Sequence, residues 1–320
     1  MLDYLFEEFL VSPVPVFKTS FNTMIKKTAL ISLLLLTKIL SANAADLSYS
    51  AELTLLSDSA VTIEAADIGT DMDANSDSAV AFMFGTEYQL NKKLSVSYEF
   101  YNEGYQDLSE NDTQYHSFNA SYDRNIGPLD FFLNASHMDM TLDGDDFLVM
   151  DLIIPSLSYY FDSGIYLNLS HTWIDKSFEK FNDFDAKNNA TGITAYYFFA
   201  DSKAYISLNY TQGEESANTD NNDYDEDTTT LAFQYPVSTG DYKSKFNISY
   251  SARQRDYAKV TDTVNVKSRE ERDRLKVYLN TELNDHWALR ATYDFKDRDS
   301  NLATSTYESH YFGFRVTYNN

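Results

Sequence analysis

Residues 287–296 read Trp-Ala-Leu-Arg-Ala-Thr-Tyr-Asp-Phe-Lys. From Trp287 to Phe295, every second side chain is apolar or aromatic, while Arg290 and Asp294 fall between them. Successive side chains of a β-strand point to opposite faces, so this alternation predicts a strand with one apolar and one polar face. A run of about ten residues is also the length that a tilted strand needs to cross a bilayer.

The same alternation recurs along most of the chain and predicts fourteen strands. Short connections, such as 91–93 and 162–164, alternate with long ones, such as 57–78, 176–188 and 213–227. Short turns at one end, long loops at the other and an even strand count are typical of outer-membrane barrels with both termini in the periplasm. The predicted fold is all-β: a transmembrane, antiparallel, up-and-down β-barrel of about 14 strands. The strands are predicted near 47–56, 79–90, 94–105, 113–124, 129–140, 149–161, 165–175, 189–199, 203–212, 228–237, 242–255, 269–283, 286–297 and 304–318.

Aromatic side chains are concentrated where the apolar strand faces end. Tyr122, Tyr235 and Trp287 lie near predicted short turns, while Trp173 and Tyr250 lie near predicted long loops. Amphipathic rings at both ends of transmembrane strands form the two interfacial girdles of a membrane barrel. A soluble sandwich would instead bury its apolar faces between two sheets, and it has no reason to place rings at strand ends.

The N-terminal region predicts an export signal. Met24-Ile25-Lys26-Lys27 precedes an apolar run over 28–36, and Ala42-Asn43-Ala44 offers the small side chains that signal peptidase accepts. We therefore expect a signal peptide over 24–44 that is cleaved after Ala44, and a barrel over 45–320. Residues 1–23 carry acidic side chains and do not suit a signal, so we expect a start at Met24 or a disordered extension.

Charge and cysteine content exclude several classes of protein. The 320 residues include 49 acidic and 25 basic side chains, which gives a formal charge of −24, and there is no cysteine. A polyanion would be repelled by this surface, so a nucleic-acid partner is not expected. Thiol chemistry and cysteine zinc sites are excluded as well. The acidic predicted loops, for example 220–227, lack the glycine and the glutamate of a calcium loop, so we expect a solvated surface and no specific metal site. Whether these carboxylates bind Ca²⁺ or Mg²⁺ stays open.

The segment Gly313-Phe314-Arg315-Val316-Thr317-Tyr318 resembles the C-terminal assembly signal of Gram-negative outer-membrane proteins. Gly313, Phe314, Val316 and Tyr318 carry this resemblance, which implies recognition by the barrel-assembly machinery. The sequence departs from the pattern because Asn319 and Asn320 follow the aromatic residue. The whole chain is similar to porin-like barrels as a class. Residues 269–318 also look like the barrels of surface-lipoprotein and polysaccharide exporters.

If the apolar face meets lipid, the other face lines the interior. Late strands are predicted to place basic side chains inward, and early strands acidic ones. Opposed walls of this kind set up a transverse field that sorts charged and dipolar solutes. Alternatively, the charges pair across neighbouring strands and hold a closed barrel together. The predicted pore-lining residues are Lys245, Arg253, Arg255, Arg272, Arg274, Lys276, Arg290, Arg315, Glu87 and Glu99. Other inward positions are predicted to be mostly Ser, Thr, Asn, Gln and Tyr.

Five histidines lie apart in the sequence, and no nucleophile motif accompanies them. An enzyme is therefore not expected, and neither is a cofactor. The predicted function is a porin-like channel for passive diffusion of small hydrophilic solutes, with a basic inner wall that biases selectivity. The alternative is a structural, adhesin or export-partner barrel that acts through acidic loops with a closed lumen. Expected partners are outer-membrane lipid, lipopolysaccharide and a small solute. The solute, the openness of the lumen and the oligomeric state stay open.

Overall fold

The computed structural model describes residues 47–61, 75–261, 266–301 and 306–320. The predicted signal peptide over 24–44 and the extension before it lie outside these residues. Within the described ranges, no helix has the length and apolar character needed to cross a membrane.

Fourteen antiparallel strands close into one barrel, which confirms the predicted fold class. Each strand pairs with its neighbours in sequence, and the first strand pairs with the last, so that Leu53 lies opposite Val316. The strands are β1 (Leu47–Asp58), β2 (Asp77–Asn91), β3 (Leu94–Tyr105), β4 (Thr113–Ile126), β5 (Leu129–Leu142), β6 (Asp145–Tyr160), β7 (Ile165–Phe178), β8 (Ala186–Phe199), β9 (Ala204–Ala217), β10 (Tyr224–Thr239), β11 (Tyr242–Thr261), β12 (Val266–Glu282), β13 (Trp287–Ser300) and β14 (Tyr307–Asn319).

We call the end of the barrel that carries the β1/β2, β3/β4 and β7/β8 connections the loop end, and the opposite end the turn end. At the loop end the strands are longer than predicted. β7 runs to Phe178 and β8 begins at Ala186, so the connection is 179–185 and not 176–188. The predicted strand bounds leave 141–148 as a connection, but β5 runs to Leu142 and β6 begins at Asp145. Asp143 and Gly144 form a tight turn between them, with φ of 51° and 79°. Paired backbone groups extend the ladder here, and the acidic side chains do not prevent it.

Three loops at the loop end share one hydrogen-bonding arrangement. Each contains a short 3-10 turn followed by an aspartate, at Asp112, Asp185 and Asp223. Each carboxylate accepts the backbone N–H at the end of the preceding strand. The three donors are Tyr105 at 2.7 Å, Phe178 at 2.6 Å and Ala217 at 2.7 Å. These aspartates therefore satisfy backbone donors that the ladder leaves unpaired. Asp223 lies in the stretch 220–227, which was expected to be solvated surface.

The carbonyl groups of the same aspartates link each loop to the next hairpin. They accept the N–H groups of Asp143 at 2.9 Å, Asn218 at 2.7 Å and Ala258 at 2.8 Å. Burial raises the pKa of the Asp112 carboxyl, and the nearby Asp143, Asp77 and Glu110 carboxylates raise it further, while the Tyr105 N–H acts in the opposite sense. The loops form a hydrogen-bonded rim at the loop end.

The outer wall is apolar and unusually exposed for a folded chain. Large side chains such as Phe118, Leu208, Leu231 and Phe314 each leave about half of their surface uncovered. On each strand the outward side chains are every second residue, and they lie opposite outward side chains of the neighbouring strands, as Leu231 lies opposite Leu208 and Phe314 opposite Ala291. The apolar side chains therefore form a continuous belt around the barrel. Contiguous apolar surface of this extent marks a lipid-facing wall. Exposed Trp287 and Tyr235 lie toward the turn end of the belt, and exposed Trp173 lies toward the loop end. Tyr250, predicted near a long loop, lies near the middle of β11.

Part of the interior is packed and apolar. Met138 and Met140 of β5 pack with Leu148 of β6 and Phe178 of β7, together with Phe147, and all are buried. The registers place Met140 opposite Tyr115 and Leu148 opposite Phe178 on the inward face. The expectation of a mostly polar interior is therefore wrong for the loop end of β5–β7. Period-two alternation identifies an apolar outer face, but it does not report whether the inner face meets water.

Candidate functional site: the barrel lumen

A cavity of about 380 Å³ lies inside the barrel. It is lined by β3–β5, by β12–β14 and by Asp58 of β1, and β3–β5 do not pair with β12–β14 in the sheet. Only the lumen can bring them together. The volume is in the range of roughly 300–1,000 Å³ that is typical of small-molecule pockets. The lining residues are Asp58, Tyr101, Glu103, Tyr105, Thr113, Tyr115, Met140, Arg274, Lys276, Arg290, Thr292, Asp294, Lys296, Tyr311 and Arg315.

One side of this cavity is basic. Its five cationic side chains come from the three adjacent strands β12–β14. Inward positions of neighbouring strands lie opposite one another, which brings these side chains together. The registers pair Arg274 with Lys296, Lys276 with Asp294, and Arg290 with Arg315. These five cations are Arg274, Lys276, Arg290, Lys296 and Arg315.

Carboxylates hold Arg274 and Arg315 in place. Arg274 donates to Asp294, with a closest approach of 2.5 Å, and Arg315 lies 2.7 Å from Glu52 of β1. The Arg290 guanidinium lies 4.7 Å from the centre of the Tyr278 ring, and its Nε donates to Asn280 at 3.3 Å. These contacts fix the positions of the cationic groups and reduce the entropy lost when a solute binds.

The opposite side of the cavity is built from tyrosines and a glutamate. The Tyr101 and Tyr115 rings stack with their centres 4.9 Å apart. Tyr101 donates its hydroxyl to Glu103, and Tyr115 donates to Glu99 at 2.8 Å. The alternation of β3 places Glu99, Tyr101 and Glu103 on the same inward face. The cavity therefore has a basic side and a side of aromatic rings and carboxylate.

Toward the loop end, the charged residues are buried and paired. Arg255 is 2% exposed, donates to Glu226 at 2.7 Å and lies 3.8 Å from the centre of the Tyr224 ring. Arg253 lies 3.5 Å from the same Glu226 carboxylate. Arg298 is 3% exposed and donates to Glu270. Charges with so little exposure are stable only when they are paired, so this group packs the wall of the lumen.

The remaining predicted pore-lining residues lie on the inward face but outside the cavity. The register places Arg272 between Arg253 and Arg298, in the buried group. Lys245 lies 3.3 Å from Glu282 near the turn end. Glu87 lies opposite Ser97 near the turn end, and Glu99 holds Tyr115. Of the ten predicted residues, the cavity is lined by Arg274, Lys276, Arg290 and Arg315.

The C-terminal segment lies on both faces of β14. Phe314, Val316 and Tyr318 share the outer face, where Phe314 is 47% exposed. Gly313 faces inward beneath the Tyr311 ring, and a Cβ at this position would lie 2.6 Å from the Tyr311 hydroxyl oxygen. A side chain here would displace the Tyr311 ring, which lines the cavity and occupies the space above Gly313. Recognition of these residues by assembly machinery remains a prediction.

Sequence reasoning missed Glu103, Tyr105 and Tyr311 as cavity residues. The alternation along each strand places them on the inward face. The sequence does not show which inward side chains of β3 and β14 lie at the same level along the barrel axis as Arg290. That level depends on the stagger of the strands, which only the closed barrel fixes. The short repeat of tyrosine and glutamate over Glu99–Tyr105 was the available signal.

Histidines do not form an inward group. The His137 ring contacts Asp151 at 2.7 Å and Asp139 at 3.5 Å on the outer face. His171 contacts Thr191 and meets the Trp173 ring edge to face, also outside. In the part of the chain that the structure describes, no group of three or more His, Cys, Asp or Glu residues could hold a metal ion.

No protein-family model and no curated protein sequence matches the chain. Solved structures do. OmpT of Vibrio cholerae superposes with a TM-score of 0.51 at 11% identity, over 87% of this chain and 99% of that one. The anion-selective porin from Comamonas acidovorans gives 0.49 at 8% identity, over 86% and 98%. OccAB3 of Acinetobacter baumannii gives 0.46 at 11%, over 87% and 100%. The chain has the fold of a porin-like outer-membrane β-barrel.

Proposed function

We propose that the protein is a porin-like channel for the passive diffusion of small hydrophilic solutes across the outer membrane. The observation that carries this proposal is the charged cavity of about 380 Å³ inside a closed barrel whose outer wall faces lipid. A solute in the cavity is surrounded by protein groups of low mobility, so fixed charges act on it more strongly than they would in bulk water.

The basic side of the cavity would bias selectivity. Arg274, Lys276, Arg290, Lys296 and Arg315 line it. Arg253 and Arg255 are held by Glu226 and act on a solute less directly. The selectivity proposal therefore rests on the cavity residues more than on the buried arginines toward the loop end.

Conductance in a planar bilayer tests this function. We expect steady single-channel currents from the folded protein and a reversal potential in a salt gradient that favours anions. Arg290→Glu should shift the reversal potential toward cations, as should Arg272→Glu combined with Arg274→Glu. Lys187→Glu is the matched control, because Lys187 lies on the outer face and is largely exposed. The reversal potential of this variant should equal that of the unmodified protein. A folded but silent barrel would contradict the channel.

A second candidate function has one observation in its favour. The loop end of the lumen is packed by the apolar group around Leu148 and by the buried pairs of Arg255 and Arg298. A barrel closed in this way would act through its acidic loops as a structural, adhesin or export-partner protein. The same bilayer experiment separates the two functions, because the closed barrel would be silent.

Export and assembly belong to the same proposal. We infer that residues 24–44 are removed as a signal peptide and that the barrel-assembly machinery contacts Gly313, Phe314, Val316 and Tyr318. N-terminal sequencing of the protein from isolated outer membranes should begin at Ala45. A mature chain that begins earlier would contradict cleavage after Ala44.

A further inference from the structure

Five aromatic side chains lie together on the inward face of β6–β9, near the turn end. Each of the four tyrosines among them is three residues from an exposed side chain of the outer belt, and an odd spacing along a strand puts two residues on opposite faces. The belt residues are, in chain order, Leu157, Leu169, Ile193 and Leu208. We call the five inward residues the aromatic patch: Tyr160, Tyr166, Tyr196, Phe198 and Tyr205.

The rings of the aromatic patch contact one another across the four strands. Tyr196 and Phe198 of β8 are nearly parallel, with 8° between their planes and their centres 5.9 Å apart. Tyr166 of β7 and Tyr205 of β9 meet Tyr196 steeply, at 63° and 70°. Tyr160 lies 6.2 Å from Phe198 and is 50% exposed, and the other four residues are partly exposed. The patch therefore presents ring surface to the lumen and is not a closed core.

A row of hydroxyl and amide side chains runs directly beside the rings. Two residues further from the turn end, the inward positions of the same four strands are polar, and the register places them opposite one another. Asn209 donates its amide to Thr194 at 2.8 Å. Two residues along a strand span about 6.8 Å, so a bound ring on the patch reaches these groups. We call them the polar row: Ser158, Asn168, Thr194 and Asn209.

The strand positions around the patch and the row are uncharged. From Leu148 to Glu215, the charged side chains at inward strand positions are Lys176 and Glu215. They lie toward the loop end and pair with each other at 2.7 Å. A charged solute would lose water at the patch and find no charged partner to replace it. This sector therefore differs from the basic side of the cavity on β12–β14.

We propose that the aromatic patch binds a pyranose ring of a neutral carbohydrate, with one face of the sugar on the rings and its hydroxyl groups toward the polar row. The faces of a pyranose carry C–H groups, which pack on aromatic rings through dispersion. A planar aromatic solute could also stack, but it would desolvate the polar row without replacing its hydrogen bonds. This assignment rests on the proposed channel function only insofar as the sugar passes on through the lumen.

Equilibrium binding to the folded full-length protein tests the assignment without requiring conduction. The protein is held in a detergent whose headgroup contains no sugar, and calorimetry measures three dissociation constants. The probes are cellobiose, which has two pyranose rings, sorbitol, which has hydroxyl groups but no ring, and nicotinamide, which is a neutral planar ring with few hydrogen-bonding groups. We expect cellobiose to bind about tenfold more tightly than either of the others, because it alone satisfies both the rings and the polar row.

Substitutions at neighbouring positions of β8 locate the sugar. Tyr196→Leu should weaken cellobiose binding about fivefold, because the ring face is lost, while Tyr196→Phe keeps the ring and should stay close to the unmodified protein. Tyr197→Leu is the matched control, because Tyr197 is the next residue and lies on the outer face, 52% exposed. It should leave the dissociation constant unchanged. Asn168→Leu removes one amide of the polar row and should weaken cellobiose binding severalfold.

Cellobiose that binds no more tightly than sorbitol to the unmodified protein would overturn the assignment, whether or not the variants fold. Nicotinamide that binds as tightly as cellobiose would overturn it in favour of planar aromatic solutes. Equal losses in Tyr196→Leu and Tyr197→Leu would also contradict it. The outcome is separable from that of the channel. Sugar binding in a protein that stays silent in the bilayer would leave the patch standing and reject passive diffusion, and conduction without sugar binding would do the reverse.

Discussion

Two sectors of the lumen wall are buried at the loop end, but one is filled by charged side chains and the other by apolar ones. On β10–β14, inward positions toward the loop end carry Arg255, Glu270 and Arg298, which are nearly inaccessible and paired. On β5–β7, the corresponding positions carry Met140, Leu148 and Phe178. The strands of both sectors are outwardly alike, since each shows an apolar face to lipid. The difference shows that the inward side chains of a barrel strand are matched to those of the neighbouring strands.

The two sectors also differ in how they respond to the loss of one side chain. An apolar side chain that is removed leaves a void, whereas a removed charge leaves its partner buried without compensation. Substitutions at matched positions of the two sectors therefore test the distinction between them.

The largest effect is expected in the charged sector. Glu270→Ala leaves Arg298 buried without its carboxylate and should lower the free energy of unfolding by about 3–5 kcal/mol. Replacing both residues together, by Arg298→Met and Glu270→Met, should restore most of the loss because no charge is left behind. Urea unfolding in lipid vesicles, followed by tryptophan fluorescence, measures both. A double variant as unstable as the single one would show that the pair contributes more than mutual neutralisation.

A somewhat smaller effect is expected in the apolar sector. Leu148 is 2% exposed within the cluster of Met140 and Phe178, so Leu148→Ala should cost about 2–4 kcal/mol through lost contacts and a residual cavity. Leu148→Met conserves volume and should cost less than about 1.5 kcal/mol. The same unfolding assay applies. If both substitutions cost the same, the cluster would not be packed as described.

The difference between the sectors also marks the limit of sequence reasoning. The alternation over 287–296 predicts strand faces, and the count and pairing of strands follow from it. The inward parity of Arg290 and Glu99 follows as well. The grouping of Glu103 with Arg290 does not, because it depends on strand stagger. The apolar interior near Leu148 was missed because continuous apolar runs, such as Leu152-Ile153-Ile154, carry no alternation to assign.

The smallest effect is expected at the hydrogen-bonded rim, where the loops beside both sectors use the same aspartate arrangement. Asp112→Ala removes the acceptor of the Tyr105 N–H and should cost about 1 kcal/mol of local stability. Because the pKa of Asp112 is raised in the folded loop, the folded loop binds a proton more readily than the unfolded one. Stability of the loop should therefore increase as pH falls through that raised pKa and decrease as pH rises above it.

Hydrogen-exchange protection of the Tyr105 amide, corrected for intrinsic exchange at each pH, measures this dependence. Asp112→Asn keeps an oxygen acceptor and removes the titrating group, so its protection should be high and flat across the same pH range. Protection in the unmodified protein that is equally flat would contradict the linkage.

The seam between β1 and β14 has a consequence for the order of folding. Ser50 pairs with Asn319, and the Tyr49 N–H donates to the Asn320 side chain at 2.8 Å while the Tyr49 carbonyl accepts the Asn320 N–H at 3.2 Å. Asn319 and Asn320, which depart from the assembly-signal pattern, are thus part of the closure.

Every other strand pair forms between strands that follow one another in sequence. The β1–β14 pair instead joins residues that are separated by nearly the whole length of the barrel sequence. Contacts of such separation form late, because the loop-closure entropy must be overcome first. Until β14 reaches β1, the sheet has two open edges that can pair with other chains, so the seam sets the interval during which the protein can aggregate.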